Sequence, residues 1–278
     1  MGVIGRLAHS FSRGARLLDT HSDPIHHRTV FTLAPDGAAA DSLAAGAEAA
    51  IEAIDLTGHE GDHPWIGALD VAPVVYLGSD ARDTAREQAL AAAERIADLG
   101  VPIFLYGEVA SIPERRERAY FRTGGLTALR SRMEREELLP DLGPTLPHPT
   151  AGATLVTARP PLAAFNMEFE GMTLTQARAV AAALRESGGG GTGVRAIALT
   201  LSDDVTQVST NIHDPVAIPL REVVARAREL AEPFAGRILA AEIVGLVPEA
   251  SLAGFPEDVP VPGFDPAQGV IEKRIQAH

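Results

Sequence analysis

Apolar positions recur along the chain with two periods, and the changes of period mark its elements. Val3, Leu7 and Phe11 fall on one stripe of a helical repeat and predict a helix over residues 3–12. Short β-branched runs predict strands over 15–19 and 28–33, with a polar turn around Pro24 between them. Leu43, Ala47, Ala50 and Ile54 share a helix face over 41–55. A second, smoother face of Ala81, Ala85, Ala89, Ala92 and Ile96 runs on to Leu99, with Asp80 as its expected cap and Gly100 as its stop. An apolar stretch from Ile66 to Tyr76 separates these helices and predicts a strand, as does VPIFLY over 101–106.

Charged helices are expected over 114–118 and 126–137, around Thr123-Gly124-Gly125. Residues 141–152, DLGPTLPHPTAG, carry three prolines and no periodicity. A structureless loop of that length in a compact domain is often functional. Strands over 153–156 and 162–169 follow, then a capped helix over 173–187 that ends in the run Gly188 to Gly191. No Lys-Ser/Thr follows that run and no strand precedes it, so a plain turn is expected there and not a phosphate cradle. Residues 194–201 and 206–211 predict a hairpin, 219–231 a helix, 238–246 a strand and 256–262 an extended tail. Hairpin-like pairs broken by single helices fit an α+β protein with two α/β-sandwich subdomains and mixed or antiparallel sheets. Two prolines near 158–162 mark the joint and give subdomains 1–161 and 162–278.

Composition narrows the partners. A chain of 278 residues with 46% hydrophobic and 22% charged residues has enough apolar material for a sizeable core. Its net charge of −13 argues against nucleic acid or an anionic membrane face as a partner. With no Cys, thiol catalysis, disulfides and cysteine-bound zinc are excluded. No apolar run reaches the roughly 18 residues of a membrane span. The N-terminal apolar stretch is too short and broken for a signal peptide, and a cytoplasmic location is expected.

The candidate chemistry centres on LTGHEGDHPW, residues 56–65. His59-Glu60-Gly61-Asp62-His63 spells H-E-x-x-H, but that zinc signature needs a helix. Gly61 and Pro64 disfavour one, since Gly costs about 1 kcal/mol in a helix interior and Pro pushes the residue before it out of the α region. The stretch therefore predicts a loop presenting the His63 imidazole, with Asp62 or Asp70 to orient it and His59 behind. His26 and His27 beside His21 suggest metal, yet no second cluster at ligand spacing completes a site, and no metal is expected. Asn166, Ser209 and Asn211 are polar in apolar company, which points to a lined cavity.

The segment His59-x-Gly61-Asp62-His63-Pro64-x-Ile66-Gly67-Ala68-Leu69-Asp70-Val71 resembles H-x-G-E-H-P-R-M-G-A-L-D-V of the glutamate formiminotransferases. Arg28-Thr29-Val30, Leu105 to Glu108, Ala164-Phe165-Asn166, Gln207 to Asn211 and Val244 to Pro248 resemble further family segments, so the likeness runs from about Leu17 to Ile275. The resemblance implies transfer of a formimino group from N-formimino-L-glutamate to N5 of tetrahydrofolate, in histidine degradation and one-carbon metabolism. Tetrahydrofolate is then a co-substrate, and a homodimer is compatible with the family. His63 falls on the catalytic histidine, general acid and base in turn. The folate loop falls on Gly143, Pro144, Thr145, Pro149, Gly152 and Thr154, with Asn166, Ser209 and Asn211 contacting substrate, and a ligand cleft or tunnel is expected between the subdomains.

Several positions depart from the family pattern. Ala151 stands where it has an aromatic, His21 where it has an Asp, and Trp65 where it has an Arg. Losing a carboxylate and a guanidinium would weaken recognition of a charged amino acid. The strand E-C-V-P-N-F-S-E-G with which members begin has no counterpart before Val3, which predicts a start codon placed too late or the loss of a ligand-facing loop. Two other classes stay open: a diverged, non-catalytic paralogue that binds folate or another small molecule, and a metal hydrolase using His59, Glu60 and His63.

Overall fold

The stripe of Val3, Leu7 and Phe11 forms α1 (Val3–Phe11), which buries Leu7 and Phe11. This is a computed structural model, and it describes residues 2–23, 27–59, 64–202 and 204–277. The chain divides into two units, residues 1–159 and 160–278. Both contain helices on sheets, one sheet parallel and the others antiparallel, as an α+β reading requires.

In the first unit, β1 (Ala15–Asp23) and β2 (Arg28–Pro35) make an antiparallel ribbon. The expected strand over 15–19 runs on to Asp23, because pairing with β2 carries polar residues such as His21, opposite Val30, into the ladder. After α2 (Ala39–Ala53) comes a three-stranded parallel sheet: β3 (Val71–Val75), β4 (Ile103–Leu105) and β5 (Thr154–Arg159), with β5 central. All of β5 except Arg159 is buried, as expected of a parallel strand covered on both faces. On one face, the small side chains Ala85, Ala89 and Ala93 and Ile96 of α3 (Arg82–Ala97) lie against Ile103, Val156 and Ala158. On the other, Phe104, Tyr106 and Leu155 meet Phe121 of α4 (Ala119–Arg122) and Leu129 and Met133 of α5 (Gly125–Glu134).

Three local expectations change here. The strand expected from Ile66 begins at Val71, since Ile66 to Asp70 are held in a loop by Asp70 itself. Asp80 does not cap α3; it sits in a 3₁₀ turn, Ser79–Ala81, and the cap residue is Ala81. Residues 114–118 start as a 3₁₀ turn at Pro113 and become α-helical only from Ala119.

The second unit is built on a four-stranded antiparallel sheet in the order β7-β8-β6-β9. Its elements are β6 (Ala163–Glu170), α6 (Leu174–Leu184), β7 (Val194–Ser202), β8 (Val205–Ile212), α7 (Leu220–Ala231) and β9 (Arg237–Val244). Strict alternation in β6 sends Phe165, Met167 and Phe169 into the core beside Val180, Leu184 and Val224 of the two helices. Thr173 and Gln176 form a reciprocal capping box at the start of α6. The tail after 256 packs closely: Ala241 donates to the Pro260 carbonyl at 2.8 Å, and Val259 and Val270 are buried. It closes with α8 (Pro266–Gly269) and α9 (Ile271–Gln276). No helix among the described residues is long and apolar enough to cross a membrane.

Phe165 is fully buried at the centre of this core, so Phe165→Ala should cost about 3–5 kcal/mol, the usual range for truncating a buried Phe. Urea denaturation followed by circular dichroism checks this; a loss under about 1 kcal/mol would mean the core is not packed around β6.

Candidate functional site

Residues 56–59 and 64–70 meet a segment far away in sequence, residues 148–154, in the first unit. Leu56 donates to the Thr150 carbonyl at 2.8 Å, Ala68 to Ala151 at 2.9 Å and Ala153 to Ile66 at 2.9 Å. Thr154 adds its hydroxyl, donating to the Leu69 carbonyl at 2.8 Å. So close an approach requires glycine on both sides. A Cβ on Gly67 would lie 1.9 Å from the Ala153 oxygen, and one on Gly152, at φ +70°, 2.1 Å from the Ile66 oxygen. The histidine-bearing loop and the Pro-rich loop are thereby stitched into one surface.

Each loop is also braced from within. Asp70 accepts the Ile66 N–H at 2.8 Å with one oxygen and pairs with Arg122 through the other. Burial pushes its carboxyl above the ordinary value, opposed by Arg122 and by the Ile66 N–H. His148 turns its Nδ1 inward to accept from the N–H groups of Thr150 and Ala151, at 3.3 and 3.1 Å. The ring therefore carries its proton on Nε2. Asp141 accepts from Leu105 N–H and from Arg115, both at 2.8 Å, and so pins the start of the Pro-rich loop to β4.

His63 and Asp62 lie outside the described residues. The described residues flanking that stretch form an aromatic group. His59 stacks on His27 with ring centroids 4.7 Å apart, and Trp65 meets His59 edge-on at 4.8 Å. Burial lowers the His59 pKa, and His27 lowers it further. His21 is exposed on β1. Gly143, Pro144, Thr145 and Pro149 are exposed along the Pro-rich loop, while Gly152 is buried in the glycine contact and Thr154 in β5.

Asn166, Ser209 and Asn211 belong to the second unit, on the sheet face that its core helices leave uncovered. Asn166 lies opposite Ser209 on one side and Glu242 on the other, and donates to the Glu242 carboxylate at 2.8 Å. Asn211 pairs with Ala164 and Arg195. The three form a short polar row across β6 and β8.

His148 and the Asp70–Arg122 pair escaped the sequence reading. For His148 the signal was present, since H-P-T-A-G places an acceptor just before a tight turn. The ion pair joins residues 52 apart and has no local signature.

The His59 shift has a consequence for stability. A histidine with a folded pKa below its unfolded value destabilises the fold once the unfolded form takes up a proton. Stability should fall as pH drops below about 6.5, the unperturbed histidine value, and His59→Gln should flatten that fall. Urea midpoints at pH 7.5 and 5.5 measure it; equal slopes in both proteins would refute it.

Residues 2–159 match the family described as the formiminotransferase domain, N-terminal subdomain, and residues 164–255 the formiminotransferase domain. The chain is 35% identical over 266 residues to a glutamate formimidoyltransferase of Streptococcus pyogenes serotype M1, covering 94% of this chain and 89% of the relative. It is 32% identical over 267 residues to a glutamate formimidoyltransferase of Thermoplasma acidophilum, covering 94% and 88%. With a formimidoyltransferase-cyclodeaminase of Rattus norvegicus it shares 35% over 262 residues, or 90% of this chain and 48% of that one. With both units matched in order and the likeness spanning nearly the whole chain, the protein belongs to the formiminotransferase family.

Proposed function

We propose that the chain transfers the formimino group of N-formimino-L-glutamate to N5 of tetrahydrofolate, with His63 as general acid and base. The observation that carries this reading is the similarity to glutamate formimidoyltransferases over 94% of the chain, which includes both units. Local geometry supports it: the described residues on either side of this stretch are held, His59 against Trp65 and Gly67 against the Ala153 carbonyl.

The chemistry asks little more than one well-placed imidazole. The N5 amine adds to the formimino carbon, forming a new C–N bond and a tetrahedral adduct. His63 takes the N5 proton and returns one to the glutamate nitrogen as the old C–N bond breaks, releasing glutamate as the free amine. An imidazole with an ordinary pKa serves both steps near neutral pH. Holding donor and acceptor in register contributes a further share, on the order of 7–11 kcal/mol for well-oriented reactants. In this reading Gly143, Pro144, Thr145 and Pro149, exposed in the first unit, contact the folate, and Asn166, Ser209 and Asn211 of the second unit contact substrate.

His63→Ala should lower 5-formiminotetrahydrofolate formation by about 10²–10⁴-fold, the usual contribution of a general acid–base, while tetrahydrofolate binding survives. Stopped assays with product chromatography, beside a fluorescence titration with tetrahydrofolate, separate the two effects. Equal rates in variant and wild type would remove His63 from the mechanism; binding without product from either protein would make the chain a folate binder.

A further inference from the structure

We propose that the first unit has a place for one more strand, between β2 and β3, and that an extended stretch of this chain preceding α1 fills it. Strand topology supports this independently of the transfer reading. The second unit runs β6-α6-β7-β8-α7-β9, and its sheet has the order β7-β8-β6-β9, with β6 antiparallel to both neighbours. The first unit opens α1-β1-β2-α2-β3, the same succession without the leading strand. Its β1 and β2 form an antiparallel pair, as β7 and β8 do. Matching the two successions puts β2 in the place of β8 and β3 in the place of β9. The counterpart of β6 belongs between them. Among the described residues, β2 has a ladder only with β1, and β3 only with β5.

The packing above that position is complete on the helix side and thin on the sheet side. α1 and α2 are in close contact: a Cβ on Gly46 would lie 2.0 Å from the Phe11 ring. Beneath them, Phe31 and Leu33 of β2 and Leu69, ahead of β3, join one apolar cluster with Leu7, Phe11 and Ala50. Only those last three are buried; Phe31, Leu33, Leu43, Ala49, Ile54 and Leu69 are partly buried. The second unit differs at the equivalent point. There β6 alone supplies Phe165, Met167 and Phe169, each 0% exposed. Five residues of β8 are buried, against one of β2. A strand with bulky apolar side chains at alternate positions would complete the cluster of the first unit as β6 completes that of the second.

Connection and hydrogen bonding set the direction of this strand. In the second unit only residues 171–173 join β6 to α6. An equally short connection into α1, which begins at Val3, makes the added strand antiparallel to β2 and to β3. On β3, the Asp70 carbonyl accepts from Leu155 and the Tyr76 N–H donates to Arg159. That register turns Ala72 and Val74 toward β5 and Val71, Pro73 and Val75 toward the other edge. Pro73 has no N–H, so this side lacks one donor of a full ladder.

Extending the protein by the in-frame codons that precede Met1 in its own gene supplies the occupant. Hydrogen exchange and thermal melting then compare the extended protein with the 278-residue chain. Amides of β2 and of β3 should both exchange at least about tenfold more slowly in the extended protein, with those of β8 unchanged. The melting temperature should rise by roughly 5 °C or more. Replacing the alternate apolar residues of the added strand by Asp should return both readings to those of the 278-residue chain. An upstream frame closed by a stop codon or without an alternating apolar strand overturns the proposal. So does unchanged exchange in the extended protein, or protection of β2 or β3 alone, which would be addition at one edge. Protection of both strands in the 278-residue chain that grows with protein concentration would give the position to a second copy, and would overturn it too.

Discussion

The contact of Gly67 with Gly152 is the constraint on which the candidate site of the first unit depends. Two backbone segments approach so closely there that a single methyl group on either side would collide with a carbonyl oxygen. Residues 64–70, the Pro-rich loop after Asp141 and the ion pair of Asp70 with Arg122 all adjoin this contact. Backbone-to-backbone hydrogen bonds hold loops with less entropy to lose than side-chain contacts would need.

Much of this was legible in the chain itself. Val3, Leu7 and Phe11, the alanine face of α3 and the alternation of β6 are local patterns, and each formed the element its period demanded. The Thr173 cap was legible for the same reason, being a short-range hydrogen-bond pattern. Where local pattern met a distant partner, the reading slipped. Ile66 to Asp70 looked like strand, but Arg122 and the neighbouring loop claim Asp70 and Gly67 for a different conformation. Pro113 similarly turned an expected helix into a tighter turn.

The proposed site rests on kinship more than on physics. Spacing alone left His63 as one histidine in a stiff loop; the family likeness gave it a reaction.

Carbon-13 magnetic resonance with N-formimino-L-glutamate labelled at the formimino carbon tests the central claim most directly. On addition of tetrahydrofolate and the protein, the labelled carbon should leave the glutamate nitrogen and reappear bonded to N5, with free glutamate in equal amount. A label that stays on glutamate, or that appears as free formate or formamide without a folate adduct, would contradict it.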